Sequence, residues 1–319
     1  LRLLLRRLAP TSFEDVAALV ALYRPGPMGV DMHNDYADIK NGRKEITYFH
    51  TDAKDVLEDT FGLMIYQESM MSVAQTFAGY SLADADNLRK ACGKKKREVM
   101  AAEKVKFVDG CEATGYGRPL GEQLFSTIEN FADYAFNKSH AYGYGFVSYQ
   151  TAYLKANYRI EYLAALLTSV KTNLEKAAIY LNECRLSGIR VLVADVNRSR
   201  SDFVPARLDD GSEVIPFGLS AVRNVGSALV DQLLEERDAN GPFSSFFDFC
   251  DRVPLPVLNK RAVESLIKGG GFDSLGHPRK GLLTVFETIV DMTVARRRQE
   301  DQGVMSLFDD AGSGGDGGF

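Results

Sequence analysis

Through most of the first 182 residues, apolar side chains return at every third or fourth position, and proline and glycine cut that rhythm into short lengths. This pattern dictates an assembly of short amphipathic helices and argues against an extended sheet. The stretch from Asp15 to Tyr23 is apolar and Ala-rich and stops at Arg24-Pro25-Gly26-Pro27, where two prolines around a glycine make a fixed corner. Between Tyr66 and Phe77, Met70, Val73, Ala74 and Phe77 fall on one face, and Gly79-Tyr80 ends the pattern. Ser81 and Asp84 then have the spacing of a capping box, which starts a helix running to Cys92 and ending at Gly93. Lys94 to Gly110 reads as a further, highly charged helix. Val147 to Val170 reads as one long helix with Val147, Leu154, Tyr158, Tyr162, Leu166 and Leu167 near a common face.

Beyond Asn182 the pattern changes. Gly188 to Val193 reads as a short strand leaving a turn, and Asp209-Asp210-Gly211-Ser212 is a hairpin signal. Two short helical units follow, Ala221 to Asp238 and Val257 to Gly269, separated by Gly241-Pro242 and an aromatic patch of Phe243, Phe246, Phe247 and Phe249. Gly312 to Phe319 is glycine-rich and expected to be disordered. The fold class is therefore mainly α, with a small α/β linker.

Of 319 residues, 45% are hydrophobic and 25% charged, enough apolar material for more than one packed core, so a wholly disordered chain is excluded. The formal net charge of -5 excludes a uniformly basic protein; any polyanion site must be local. Cys92, Cys111, Cys184 and Cys250 are far apart, which disfavours a zinc site or a disulfide framework and suits a reducing cytoplasm. No apolar run reaches the length of a membrane span. The opening Leu1-Arg2-Leu3-Leu4-Leu5 lacks Met and starts within a helical pattern, so the chain is expected to be an internal segment of a longer protein.

Against this acidic background Arg89, Lys90, Lys94, Lys95, Lys96, Arg97, Lys104 and Lys106 crowd into 18 residues, opposed by Glu98 and Glu103. Such a run is either a solvated helix face or a phosphate site in which Gly93 lets the lysines fold over a polyanion. A second segment favours the latter. Asn137, Lys138, Ser139 and His140 set an amide, a cation, a hydroxyl and an imidazole side by side, donors suited to phosphate oxygens and to a base. His140 as a hydrogen-bonded core residue is the alternative, and Tyr142 and Tyr144 are expected to pack rather than stack on a base. Asp84-Ala85-Asp86 has the spacing of a metal-binding pair, but at a helix start these side chains diverge, and aspartate there caps.

The run Val222-Arg223-Asn224-Val225-Gly226-Ser227 reads as the turn of a helix-hairpin-helix. Gly226 would allow the tight turn, and the amides from Ser227 onward would face a DNA phosphate; an ordinary helical hairpin has the same pattern. The second unit, around Leu258 to Ile267, is expected to pack rather than to read bases. Near the end, Leu307 and Phe308 are either two stray apolar residues on a polar tail or anchors that would enter a partner's apolar pocket, with Gln302 bonding at its rim.

Leu22-Tyr23-Arg24-Pro25-Gly26-Pro27-Met28, Gly62-Leu63-Met64-Ile65-Tyr66-Gln67-Glu68, Leu88-Arg89-Lys90-Ala91-Cys92-Gly93-Lys94-Lys95-Lys96, Phe136-Asn137-Lys138-Ser139-His140-Ala141 and Ser148-Tyr149-Gln150-Thr151-Ala152-Tyr153-Leu154-Lys155-Ala156 occur in this order. Together they resemble the bacterial DNA polymerase III alpha subunit, the C-family replicative DNA polymerase. The resemblance implies a helical fingers domain over 1–180, a tandem helix-hairpin-helix duplex-binding region over 181–275, and a linker with a clamp-binding-like peptide and disordered tail over 276–319. It implies that Arg89, Lys90, Lys94, Lys95, Lys96, Asn137, Lys138, Ser139 and His140 bind the incoming dNTP. It also implies that Gln302, Leu307 and Phe308 grip the sliding clamp (beta), although Gln302 lies six residues before Phe308, farther than is common. Val193-Ala194 stands where prolines are usual, a local change in the linker.

The other implied partners are the DNA primer-template and further replicase subunits, with no membrane. The catalytic aspartates and the Mg2+ they hold would lie on residues outside this chain, which carries no catalytic or metal-ligating residue, so the chain alone is expected not to extend a primer. Three alternatives stand beside this reading: an error-prone, repair-associated paralogue, a non-enzymatic DNA-binding module of related descent, and a phosphate-binding metabolic enzyme built on the basic run.

Overall fold

The computed structural model describes residues 1–94, 97–131 and 134–301. These form sixteen α-helices, several short 3-10 turns and one three-stranded sheet, in agreement with the mainly α expectation. The backbone separates into two compact units, Leu1–Tyr153 and Leu154–Phe319. That division falls earlier than the expected boundary at 180, because the helices Arg159–Ser169 and Leu174–Leu186 share a core with the strands: Leu163, Leu167 and Cys184 pack with Phe203 and Ile215.

In the first unit the helix Phe13–Leu22 begins at Ser12, whose hydroxyl accepts from the Asp15 amide while Asp15 answers the Ser12 amide. It ends before the Arg24 corner, which forms a one-turn helix, Pro25–Gly29, opened by proline. Three helices then fold against one another. Gln67–Ala78 ends at Gly79 in a left-handed conformation, and Leu82–Lys94 runs back along it. Arg97–Ala113 reverses again, so that Phe107 stacks edge-on to Tyr80 at 5.9 Å and Thr114 Oγ1 donates to the Phe77 carbonyl at 2.6 Å. Their core is Met70, Val73, Phe77, Leu88, Phe107 and Cys111, with Leu124, Phe125 and Ile128 from the helix Arg118–Phe131.

The long helix expected over Val147–Val170 is two helices, Lys138–Asn157 and Arg159–Ser169, separated by Tyr158 at φ -131° and ψ 56°. The shared apolar face is consequently not one buried stripe: Leu163 and Leu167 are buried, whereas Val147, Leu154 and Tyr158 are exposed.

In the second unit β1 (Arg190–Leu192) pairs parallel with β3 (Glu213–Pro216), and β2 (Ala206–Arg207) pairs antiparallel with β3, in the order β1-β3-β2. The expected hairpin joins β2 and β3: Gly211 takes φ 81°, and the Asp210 carboxylate accepts from the Ser212 amide at 2.8 Å. The two helical units are Ser227–Asn240 and Lys260–Gly269. The region after 276, expected as linker, is instead helical from Arg279 to Asp301, and Leu282, Phe286 and Val290 bury one face against the core that holds Phe246, Phe249 and Phe272. Residues four apart on a helix stand on one side, so this stripe was visible in the sequence.

Candidate functional site

The three-helix fold divides the basic run. Cys92 Sγ lies 3.8 Å from Met70 Sδ, so the end of Leu82–Lys94 returns to the start of Gln67–Ala78. That same start holds the second candidate segment. The Gln67 amide donates to the Phe136 carbonyl at 2.9 Å, Tyr66 and Phe136 form a parallel bridge, and Glu68 hydrogen-bonds Asn137 and Lys138. The last turn of the Arg89-bearing helix and the Asn137–His140 turn therefore sit at one end of a helical hairpin. Lys106 goes to the other end, where its ammonium bonds Asp84 at 2.5 Å and lies 4.7 Å over the Tyr80 ring. A helix rises about 1.5 Å per residue, so Lys106 does not share one patch with Arg89 and Lys90.

Arg89 and Lys90 share a counter-charge. Asp86 Oδ1 accepts from Arg89 at 2.9 Å, and Asp86 Oδ2 takes the Lys90 ammonium at 2.7 Å. Lys90 and then Arg89 hold the Asp86 carboxyl below its ordinary range. Both cations keep solvent access, with side chains 34% and 55% exposed, so an anion can reach them. The DxD spacing thus has another use. Asp84 accepts from Ser81 to complete its capping box and pairs with Lys106, while Asp86 neutralises the Arg-Lys pair. Lys94 ends its helix, and Lys95 and Lys96 lie outside the described residues.

Asn137 is the N-terminal cap of Lys138–Asn157: its Oδ1 accepts from Ser139 Oγ at 2.6 Å and from the His140 amide at 2.9 Å. Lys138 Nζ is 3.6 Å from Asp59 and lies over the Tyr66 ring. His140 is exposed, against its core alternative, with the Tyr144 ring edge-on at 4.6 Å. Tyr142 packs on Phe13 as expected, but Tyr144 is 56% exposed. With Asn137, Ser139, His140, Gly143 and Val147 it lines an open cavity of about 310 Å³. Asp86, Asp59 and Glu68 were not expected at this site. For Asp86 the spacing to Arg89 and Lys90, three and four residues on, was the available signal; for Asp59 and Glu68 no local signal exists.

At the second candidate the left-handed residue is Asn224, at φ 65°, and not Gly226, whose φ is -77°. Asparagine enters that conformation more readily than other non-glycine residues, and Asn224 Nδ2 donates across 41 positions to Ser265 Oγ at 3.1 Å. Gly226 is instead a bare cap of Ser227–Asn240, with no side-chain hydrogen bond to the first amides and open space where a Cβ would stand. The other unit differs: Asn259 Oδ1 accepts from the Arg261 and Ala262 amides and closes its helix start. Arg223, Asn224, Gly226 and Ser227 are exposed, whereas Val225 is buried and Val222 packs against the same core. Gln302, Leu307 and Phe308 lie outside the described residues.

Residues 1–115 match the bacterial DNA polymerase III alpha subunit finger domain, and residues 188–282 match a helix-hairpin-helix motif. The chain is 51% identical over 321 residues to a DNA polymerase III subunit alpha of Mycobacterium tuberculosis, covering 99% of this chain and 26% of the relative. The chain belongs to the bacterial DNA polymerase III alpha subunit family. Its likeness to the Mycobacterium leprae subunit is 50% over 99% of this chain and 27% of the relative, and to that of Pseudomonas aeruginosa 40% over 96% and 27%. The chain spans about a quarter of the length of these alpha subunits.

Proposed function

We propose that this chain supplies the fingers and part of the duplex grip of a bacterial replicative DNA polymerase. Arg89 and Lys90, with Lys94, Lys95 and Lys96, hold the triphosphate of an incoming dNTP beside the Asn137-Lys138-Ser139-His140 turn. The observation that carries this reading is the Met70–Cys92 contact, which returns the Arg-Lys helix to the hairpin end where Gln67 and Glu68 hold that turn.

Phosphoryl transfer spreads negative charge over the reacting phosphate, and fixed cations in a confined site stabilise it. Arg89 and Lys90 would exchange Asp86 for phosphate oxygens; before substrate arrives, Asp86 neutralises both. His140 and Tyr144 offer flat surfaces beside the same turn for a base. The Gly226 helix start, bare of a side-chain cap, would take a duplex phosphate without reading sequence. The 302–308 peptide would tether the sliding clamp, and other replicase subunits and the cytoplasm complete the setting. No helix of the described residues is long and apolar enough to cross a membrane. A catalytic Mg2+ would be held by residues outside this chain; Asp84 and Asp86 are each paired with cations.

The test is steady-state primer extension by the full-length polymerase carrying Arg89→Ala with Lys90→Ala. The dNTP kcat/KM should fall by on the order of 2–4 kcal/mol of transition-state stabilisation. Unchanged nucleotide kinetics would leave the pair as solvated surface.

A further inference from the structure

We propose that Glu68 is a positioning residue for the nucleotide site: from a neighbouring helix, its two carboxylate oxygens set the Asn137–Lys138 turn and so aim the Lys138 ammonium and the His140 ring. This inference rests on the reading of that turn as part of the dNTP site.

Both oxygens of Glu68 are committed. Oε1 accepts from Asn137 Nδ2 and Oε2 from the Lys138 amide, each at 2.8 Å. The first bond fixes which way the Asn137 amide points. With Nδ2 turned to Glu68, Oδ1 faces the helix and caps it through Ser139 Oγ and the His140 amide. The second bond places a carboxylate at the helix N-terminus, where the backbone dipole favours it. The chain leading into the turn is held separately. Arg24 Nη2 donates to the Tyr134 carbonyl at 2.5 Å, its guanidinium lies 4.3 Å over the Phe136 ring, and Gln67 bonds the Phe136 carbonyl. Arg24 and Gln67 thus anchor residues 134–136, and Glu68 sets 137 and 138. From there the helix carries His140 and Tyr144 to the cavity they line.

The two ways in which Glu68 could influence a dNTP have opposite signs. Its negative charge repels a triphosphate, so charge alone predicts that Glu68→Gln tightens binding. Positioning predicts that the same variant weakens it. An amide at 68 has one acceptor where two are needed and turns a donor toward a donor. The pair can be rebuilt in reverse: in Glu68→Gln with Asn137→Asp, the amide at 68 accepts from the Lys138 amide and donates to the carboxylate at 137. That carboxylate still caps the helix, and the net charge equals that of the parent.

The experiment measures dNTP KM and kcat of the full-length polymerase in primer extension, with melting temperature recorded for each variant. Glu68→Gln should raise KM about tenfold, the loss of one hydrogen bond to a charged group, with kcat reduced less. The double variant should recover the melting temperature lost in Glu68→Gln, as coupled neighbours do when their contact is restored. A KM for Glu68→Gln that falls or stays unchanged overturns the proposal, as does a double variant no better than Glu68→Gln in melting temperature. If Glu68→Gln does not fold, the double variant decides alone: a folded enzyme supports the pairing, and one that also fails to fold refutes it. Arg89→Ala with Lys90→Ala runs in parallel. No effect there removes the nucleotide reading, whereas a raised KM there with an unchanged KM in Glu68→Gln removes only the role of Glu68.

Discussion

At position 26 a side chain has no room: an added Cβ would stand 2.5 Å from Tyr134 Cβ. The Arg24-Pro25-Gly26-Pro27 corner was legible as a rigid bend because proline fixes φ. That it seats against Tyr134, at the entry to the Asn137 turn, was not, because the two are distant in sequence. Gly26→Ala should destabilise the protein by about 1–3 kcal/mol through overpacking, read as a lower midpoint in urea denaturation, and should raise dNTP KM with it. The glycine at 226 teaches the converse. The sequence suggested a turn glycine, but Asn224 makes the left-handed turn and Gly226 leaves the helix start bare. Glycine marks both strained backbone and open approach, and composition does not distinguish them.

Among elements, the helical hairpin formed by Gln67–Ala78 and Leu82–Lys94 matters most. Its cap was readable, and Ser81 and Asp84 bond reciprocally as the spacing requires. Lys106 joins them from the antiparallel Arg97–Ala113 helix, and the Lys106 bond, followed by Ser81, lowers the Asp84 pKa to about 2. A carboxyl whose pKa is depressed on folding stabilises the folded state above its unfolded pKa, ordinarily about 3.9. That contribution is lost as pH falls from there toward about 2. Parent and Asp84→Asn should therefore differ in melting temperature at pH 6 by an amount that shrinks steadily toward about pH 2; a gap independent of pH would place the effect in the cap geometry and not in the charge. Two element readings changed for local reasons. Tyr158 leaves helical geometry and splits one expected helix. Leu282, Phe286 and Val290 turn the expected linker into a packed helix.

Over the whole molecule, two compact units carry the two candidate surfaces, each legible on its own terms. The exposed Arg223, beside a helix start with no side-chain cap, would act as a phosphate contact. In the full-length enzyme Arg223→Ala should weaken duplex binding equally for unrelated sequences and reduce the slope of log K against log salt by about 1; fluorescence anisotropy across a salt series measures it, and an unchanged slope would remove Arg223 from the interface. Helix order, corners, caps and the β2–β3 hairpin could be read along the chain, because proline geometry, capping and apolar spacing act over a few residues. Local pattern could not say which charges meet. Lys106 departs from its sequence neighbours to pair with Asp84, and Glu68 reaches Asn137 across 69 positions. Those pairings follow from antiparallel packing around a buried core, a long-range outcome that brings chosen helix ends together whatever the charges beside them in the chain.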